Sequence, residues 1–280
     1  MDNGNPSPIN LSADQTQELV KLTNAVLESA KYGQIDSGLI AHIGAQELLK
    51  GRKLKEAVKA TKNKLHQVSA AYLAGKMPYQ EWLEELVALS WQSTEFKEAC
   101  RRIMQQHAST RERLPILDDF YREIFGHLPP ITSVLDLACG LNPLAASWMQ
   151  LDDSTVYYAC DIYYDMMFFI GKFLELLPFP SHVGVCDILN RPPDTKVDLV
   201  LLQKTIPCLE QIEKNAGEKI LNSVQADHYL ITFPAHSLGG RDKGMRENYE
   251  ARFNSLAEGR NWQVKRFEFE TELAFLVSDG

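Results

Sequence analysis

The chain lacks an overall positive charge, a long apolar run, a metal-ligand spacing and a glycine-rich phosphate loop. Its 280 residues carry 29 Lys and Arg against 37 Asp and Glu, a net charge of −8. No global basic field therefore advertises a nucleic-acid partner, and any such contact has to be local. The five cysteines (Cys100, Cys139, Cys160, Cys186 and Cys208) are odd in number and form no CxxC or Cys/His pattern. That argues against a disulfide framework and against a zinc site, so no metal is expected. Three of them fall near expected strand ends and read as small buried apolar groups, which suits a reducing, cytoplasmic setting. The most apolar stretch, Met166–Phe179, contains Lys172 and Glu175 and is too short to span a bilayer. The polar N-terminus has no basic-then-apolar leader pattern, so no membrane association is expected, and residues 1–10 read as disordered.

Two regions of different character follow. From Ser12 to His107 the signals are helical, with apolar residues at helical spacing (Leu19, Leu22, Val26; Leu54, Val58, Leu65) and no internal repeat. Residues 11–107 are therefore expected to form an all-α domain. One more helix, Thr110–Phe125, leads to Pro129–Pro130. Apolar β-type runs then alternate with helices across 108–280. Strands are expected at Ser133–Ala138, Val156–Ile162, Val183–Ile188, Asp198–Gln203 and His228–Phe233. The intervening helices are expected near Pro143–Gln150, Tyr163–Leu177, Pro207–Val224 and Lys243–Glu258. This alternation predicts βαβ units and a parallel sheet. Val264–Glu270 and Glu272–Ser278 have almost nothing between them and predict a closing antiparallel hairpin. The expected class is α/β: a Rossmann-like sheet of the class I methyltransferase layout, preceded by the helical domain.

The densest chemical signal is SVLDLACGLNPLA, Ser133–Ala145. An apolar strand carries Asp136, passes Ala138 and turns at Gly140 into a helix start, the arrangement of a cofactor-binding edge. Two more acids end the next two strands: Asp161 before Ile162, and Asp187 before Ile188. Asp161 is placed to accept ribose hydroxyls and Asp187 to meet an adenine amine. The loop has one glycine where a dinucleotide fingerprint needs three, so no pyrophosphate cradle is present. S-adenosylmethionine, which has no phosphate, fits better than a nicotinamide cofactor. Arg113, in STRER, is suited to hold a carboxylate in a bidentate grip, and the methionine end of S-adenosylmethionine supplies one.

Against the acidic background, seven basic residues and one acid lie between Lys50 and Lys64. Arg52, Lys55, Lys59 and Lys62 recur at helical spacing and predict one stripe suited to a phosphate backbone. A second basic segment, Ser237–Tyr249, brings Arg241, Lys243 and Arg246 after the fifth strand. With Lys204 at the end of the fourth strand, these residues are expected to ring a pocket with positive charge. The plain alternatives are a solvated helix face and a polar loop.

HASTRERL (His107–Leu114), LDLACGLNPLA (Leu135–Ala145), CDI (Cys160–Ile162), FPAHSLGGRDKGMRENY (Phe233–Tyr249) and KLHQVSAAY (Lys64–Tyr72) closely resemble the aminoglycoside-resistance 16S rRNA methyltransferases that modify guanine N7 in the decoding site. The resemblance spans about residues 15–280. It implies S-adenosylmethionine as donor and the assembled 30S subunit as substrate; a monomer is expected because so large a particle has to reach an open pocket. It implies cofactor positions at Arg113, Gly140, Asp161 and Asp187, with Ile188 and Gln203 nearby. It implies RNA-docking positions at Lys64, His66, Lys204, Arg241 and Lys243. Arg246 stands where the family usually has an acid, and Gln203 where an apolar residue is common. Guanine N7 carries a free lone pair, so no general base is expected; positioning by Lys204, Arg241 and Lys243 is. A small-molecule methyltransferase and a non-catalytic rRNA-binding factor are the rival readings.

Overall fold

A computed structural model describes residues 11–70, 72–73, 75, 77–235 and 244–280. The disorder expected for residues 1–10, and the roles expected of Arg241 and Lys243, lie outside the described residues.

Among the described residues, seven α-helices precede the sheet. Ser12 opens α1 (Ala13–Leu27) with a capping box: its hydroxyl accepts the Gln15 N–H while the Gln15 side chain accepts the Ser12 N–H. Asp36 caps α2 (Ser37–Leu49), and α3 (Leu54–Leu65) continues into a wide turn over His66–Ala70. These helices pack on one another. The next two face the sheet half instead. In α4 (Tyr79–Val87), Tyr79 stacks on Phe169 at 5.2 Å; in α5 (Thr94–Met104), Phe96 stacks on Phe173 at 5.9 Å. The single helix expected over Thr110–Phe125 is instead α6 (Ala108–Arg113), a tight turn Leu114–Ile116 and α7 (Leu117–Phe125). Pro115 has no N–H to continue the ladder and divides it.

The sheet has seven strands: β1 (Ser133–Leu137), β2 (Val156–Asp161), β3 (Ser181–Val185), β4 (Val197–Gln203), β5 (Ala226–Pro234), β6 (Trp262–Glu268) and β7 (Glu272–Asp279). Their order is β3-β2-β1-β4-β5-β7-β6; β1 to β5 run parallel, and β7 is antiparallel to both β5 and β6. The expected parallel sheet with a closing hairpin is what forms. On its faces lie α8 (Tyr164–Leu174), α9 (Thr205–Leu209), α10 (Ala216–Ser223) and α11 (Met245–Ala257). Two expected helices differ. Pro143–Gln150 is a tighter 3₁₀ segment, Asn142–Trp148, and Pro207–Val224 is broken into α9 and α10. The third strand ends at Val185, not Ile188, because Asp187 closes a turn there. No helix among the described residues is long and apolar enough to cross a membrane.

The chain reverses direction of winding at β1, between β2 and β4. Open α/β sheets bind ligands at such a switch point, outside the carboxyl ends of the strands. The helical region is tied to that edge. Asp36 N–H bonds the Ile162 carbonyl at 2.8 Å, Tyr164 N–H bonds the Gln34 carbonyl at 2.8 Å, and the Arg191 guanidinium meets the Asp36 carboxylate at 2.9 Å.

Candidate active site

At the end of β1 the backbone takes positive φ at Ala138 (51°) and Gly140 (52°). This swings the loop over β2, where Asp161 holds it: one carboxylate oxygen accepts Gly140 N–H at 2.9 Å and the other accepts Ile162 N–H at 2.6 Å. Burial raises the Asp161 pKa above the ordinary carboxylate value, although these two N–H donors oppose the shift. The His107 ring packs on Gly140; a Cβ there would sit 2.8 Å from its Cε1 atom. Position 140 therefore needs glycine for its φ and for its neighbour. Gly140→Ala is expected to displace the ring or the loop and to weaken binding of S-adenosylhomocysteine at least about tenfold, since strain at such a site costs roughly 1–3 kcal/mol. Calorimetric titration checks this, and unchanged affinity would remove the loop from the site.

His107 itself is enclosed. Burial first, and then the nearby cations Lys204, Arg111 and Arg113, lower its pKa to about 4, so the imidazole is neutral near pH 7. Its Nδ1 atom is buried and has no hydrogen-bond partner among the described residues.

Asp136 is turned inward and accepts hydrogen bonds from Asn142 Nδ2 and the Tyr157 hydroxyl, each at 2.8 Å. Burial pushes its carboxyl up to about 6. Asp187 accepts Leu189 N–H at 3.1 Å and the Asn190 side-chain amide, and so fixes a turn through Arg191. The plain reading of this acid, a turn cap, is thus also true. The turn still presents Asp187 and Ile188 to the cleft.

Arg113 is fully buried and forms the hub of the site. Its guanidinium does hold a carboxylate with two bonds, but the carboxylate is Glu272, at 3.0 and 2.7 Å. Its Nη1 donates to Asn142 at 2.7 Å and to Gln203 at 2.6 Å. Four of the five N–H directions of the fork are thereby taken up inside the protein, the Gln203 side-chain oxygen being one of the acceptors. Lys204, at φ 58°, lies beside it and is 5% exposed. Its ammonium bonds Glu112 at 2.8 Å and approaches Glu272 at 3.3 Å. Of the expected positive ring, Lys204 is matched by Glu112 and Glu272, while Arg241 and Lys243 lie outside the described residues.

Arg113, Asp136, Ala138, Asp161, Ile162, Asp187, Ile188, Gln203 and Lys204 all border one cleft, and Gly140 lies directly behind it. The residues not anticipated are Glu272, Glu112, Asn142 and His107, together with a wall of the cleft supplied by the helical region through Leu39, Ser69 and Tyr72. Glu272 had a readable trace, an acid heading the apolar run LAFLV. The wall had none, since it depends on how the helices dock.

Of the basic stripe, Lys55 and Lys59 are exposed on α3. Arg52 is paired with Glu47, and the Lys62 ammonium donates to the Ser29 hydroxyl. Lys64 lies on another side of α3 and reaches the Ile212 carbonyl at 3.4 Å; the His66 ring meets Lys31 at 3.1 Å. Arg246 is bound to the closing hairpin through Glu268 and the carbonyls of Phe269 and Glu270.

Strand order, closing hairpin and strand-end acids define a class I methyltransferase. The chain matches the ribosomal RNA methyltransferase (FmrO) family over residues 28–276, and it belongs to that family. It is 37% identical over 269 residues to a 16S rRNA (guanine(1405)-N(7))-methyltransferase of Micromonospora rosea, covering 92% of this chain and 95% of the relative. It is 35% identical over 281 residues to the enzyme of the same name from Frankia casuarinae, covering 99% and 98%. The crystal structure of 16S rRNA methyltransferase RmtF in complex with S-adenosyl-L-homocysteine superposes with a TM-score of 0.77 at 28% identity, covering 97% of this chain and all of that one.

Proposed function

We propose that this enzyme methylates N7 of the 16S rRNA guanine specified in its relatives' names, acting on the assembled 30S subunit and conferring aminoglycoside resistance. The observation that carries the reading is the composition of the cleft. A sheet edge with a one-glycine loop and three acids forms one side, and the turn that continues basic helix α3 forms the other.

The residues fit S-adenosylmethionine. Asp161 is placed for the ribose hydroxyls and Asp187 for the adenine amine, with Leu39, Ile162 and Ile188 as apolar walls for the base. Arg113 retains one N–H for the methionine carboxylate while Glu272 keeps it aligned. The unpaired nitrogen of neutral His107 leaves room for a donor and adds no positive charge beside a sulfonium. Bound there, the donor supplies a methyl group already activated for transfer. The protein's task is to align the purine and exclude water, and no side chain has to remove a proton from N7.

On this reading residues 11–107 dock rRNA and 108–280 carry the donor, although Leu39, Ser69 and Tyr72 contribute to the donor's cleft. Lys55, Lys59 and Lys64 meet phosphates, with Arg52, Lys62 and His66 beside them. Arg241 and Lys243 follow β5 and hold the flipped nucleotide. The enzyme acts as a monomer in the cytoplasm.

The test is methyl-labelled S-adenosylmethionine offered with 30S subunits, 70S ribosomes and naked 16S rRNA, followed by N7-specific strand cleavage. Label at one guanine in 30S alone is expected. No label in any of them, with cofactor binding intact, would overturn the reading in favour of another RNA or a small molecule. Lys55→Glu combined with Lys59→Glu is expected to lower 30S methylation at least about tenfold at moderate salt, because two phosphate contacts change sign. Affinity for S-adenosylhomocysteine is expected to be unchanged. Equal methylation by the double variant would exclude the stripe from docking.

A further inference from the structure

We propose that Glu112 recognises the Watson–Crick edge of the target guanine and stabilises the cation that methylation creates on it. The inference rests on the N7 reading above. An RNA substrate is a polyanion, so a part-exposed carboxylate bonded to Lys204, which borders the cleft, calls for a physical reason. Ser109 and Arg113 both border the cleft, and Glu112 lies between them, one helical turn from Ser109. Its side chain is 28% exposed, unlike Glu272, which is sealed inside. The Lys204 ammonium, anchored on the Ser109 carbonyl at 3.3 Å, holds one Glu112 oxygen at 2.8 Å. Glu112 is thus the more exposed of the two carboxylates on Lys204, an acceptor whose orientation that ammonium fixes.

Guanine is matched through its donors. The three Lys204 N–H are directed at Ser109, Glu112 and Glu272, so the ammonium serves to hold the carboxylate. The Watson–Crick edge presents N1–H beside N2–H, and a carboxylate has lone pairs to accept both. Adenine at the same place would set its N1 lone pair against the carboxylate.

The reaction gives the carboxylate a second role. As the N7 lone pair forms the new N–C bond, the C–S bond breaks and its electron pair stays on sulfur. One unit of positive charge passes from the sulfonium to the purine, and no proton leaves N7. The purine cation is a stronger N1–H and N2–H donor than neutral guanine. A carboxylate accepting those bonds therefore holds the transition state more tightly than the ground state. Among the described residues Arg113 and Lys204 are balanced by Glu112 and Glu272, an arrangement that suits a base becoming positively charged.

The test compares Glu112→Gln and Glu112→Ala with wild type on 30S subunits. The glutamine oxygen can still accept from Lys204, so this variant separates loss of charge from loss of support. Glu112→Gln is expected to lower kcat about tenfold to a hundredfold, the equivalent of one hydrogen bond to a charged group. KM for 30S, affinity for S-adenosylhomocysteine and melting temperature are expected to hold. In 30S subunits reconstituted with inosine at the target, which lacks the N2 amine, wild type is expected to lose rate and Glu112→Ala to lose nothing further. The proposal is overturned if both variants keep the wild-type kcat, if kcat falls together with cofactor affinity and melting temperature, or if inosine costs Glu112→Ala as much as wild type. If wild type yields no N7-methylguanine, the N7 reading falls first and this inference with it.

Discussion

Glu272→Ala is expected to destabilise the protein by about 3–5 kcal/mol, because it leaves Arg113 buried without its counter-charge. Both partners are fully buried, and Lys204 loses a neighbour as well. Denaturant unfolding near pH 7 reads the loss directly. Glu272→Gln should cost less, since an amide oxygen can still accept one guanidinium N–H. The pH dependence has a definite sign. Burial alone would raise the Glu272 carboxyl, but the Arg113 guanidinium and then the Lys204 ammonium outweigh it and hold the group below its ordinary 4.5. A depressed carboxylate contributes its full stability above the unfolded value and loses it as pH falls through the folded one. Wild type should therefore lose this contribution below about pH 4.5, the unfolded glutamate range, and Glu272→Ala should lack that part of the acid dependence. An alanine variant as stable as wild type at neutral pH would show that the pair holds nothing together.

Asp161→Ala is expected to weaken S-adenosylhomocysteine binding by at least about a hundredfold, on the scale of two hydrogen bonds to a charged acceptor. The substitution removes the acceptor proposed for the ribose and also strands the N–H groups of Gly140 and Ile162. Asp161→Asn retains one acceptor oxygen and should fall between the two. Burial holds the Asp161 carboxyl above its ordinary value. Cofactor affinity should accordingly weaken on acidification, starting at higher pH than for a solvent-exposed aspartate. Calorimetric titration of the three proteins over a pH series tests this. Identical affinities would place the ribose elsewhere.

The two variants mark different limits of what the chain reveals before it folds. Asp161 stands at the end of an apolar run, after a strand–glycine–helix junction, and its role follows from local order. Glu272 lies 159 residues from Arg113. Only the strand order makes them neighbours. Because β7 runs antiparallel beside β5, its first residue, not its last, arrives at the carboxyl edge where Arg113 and Lys204 wait. Gln203 meets the Arg113 fork for the same reason. His107 behind Gly140, and Leu39 and Tyr72 on the cleft wall, likewise depend on how helices meet the sheet.

By itself, the sequence determined the strands of the parallel half, the closing hairpin, the Asp136 and Asp161 positions on β1 and β2, the one-glycine loop and the basic helix. Each is written in periodicity or in neighbouring residues, and short-range sterics and hydrogen bonding suffice to express it. Tertiary structure alone decided which charges cancel. Arg113 and Lys204 read as free cations along the chain, and they became the buried halves of ion pairs because leaving water unpaired costs a charge several kcal/mol. That decision belongs to residues brought together from α6, β4 and β7.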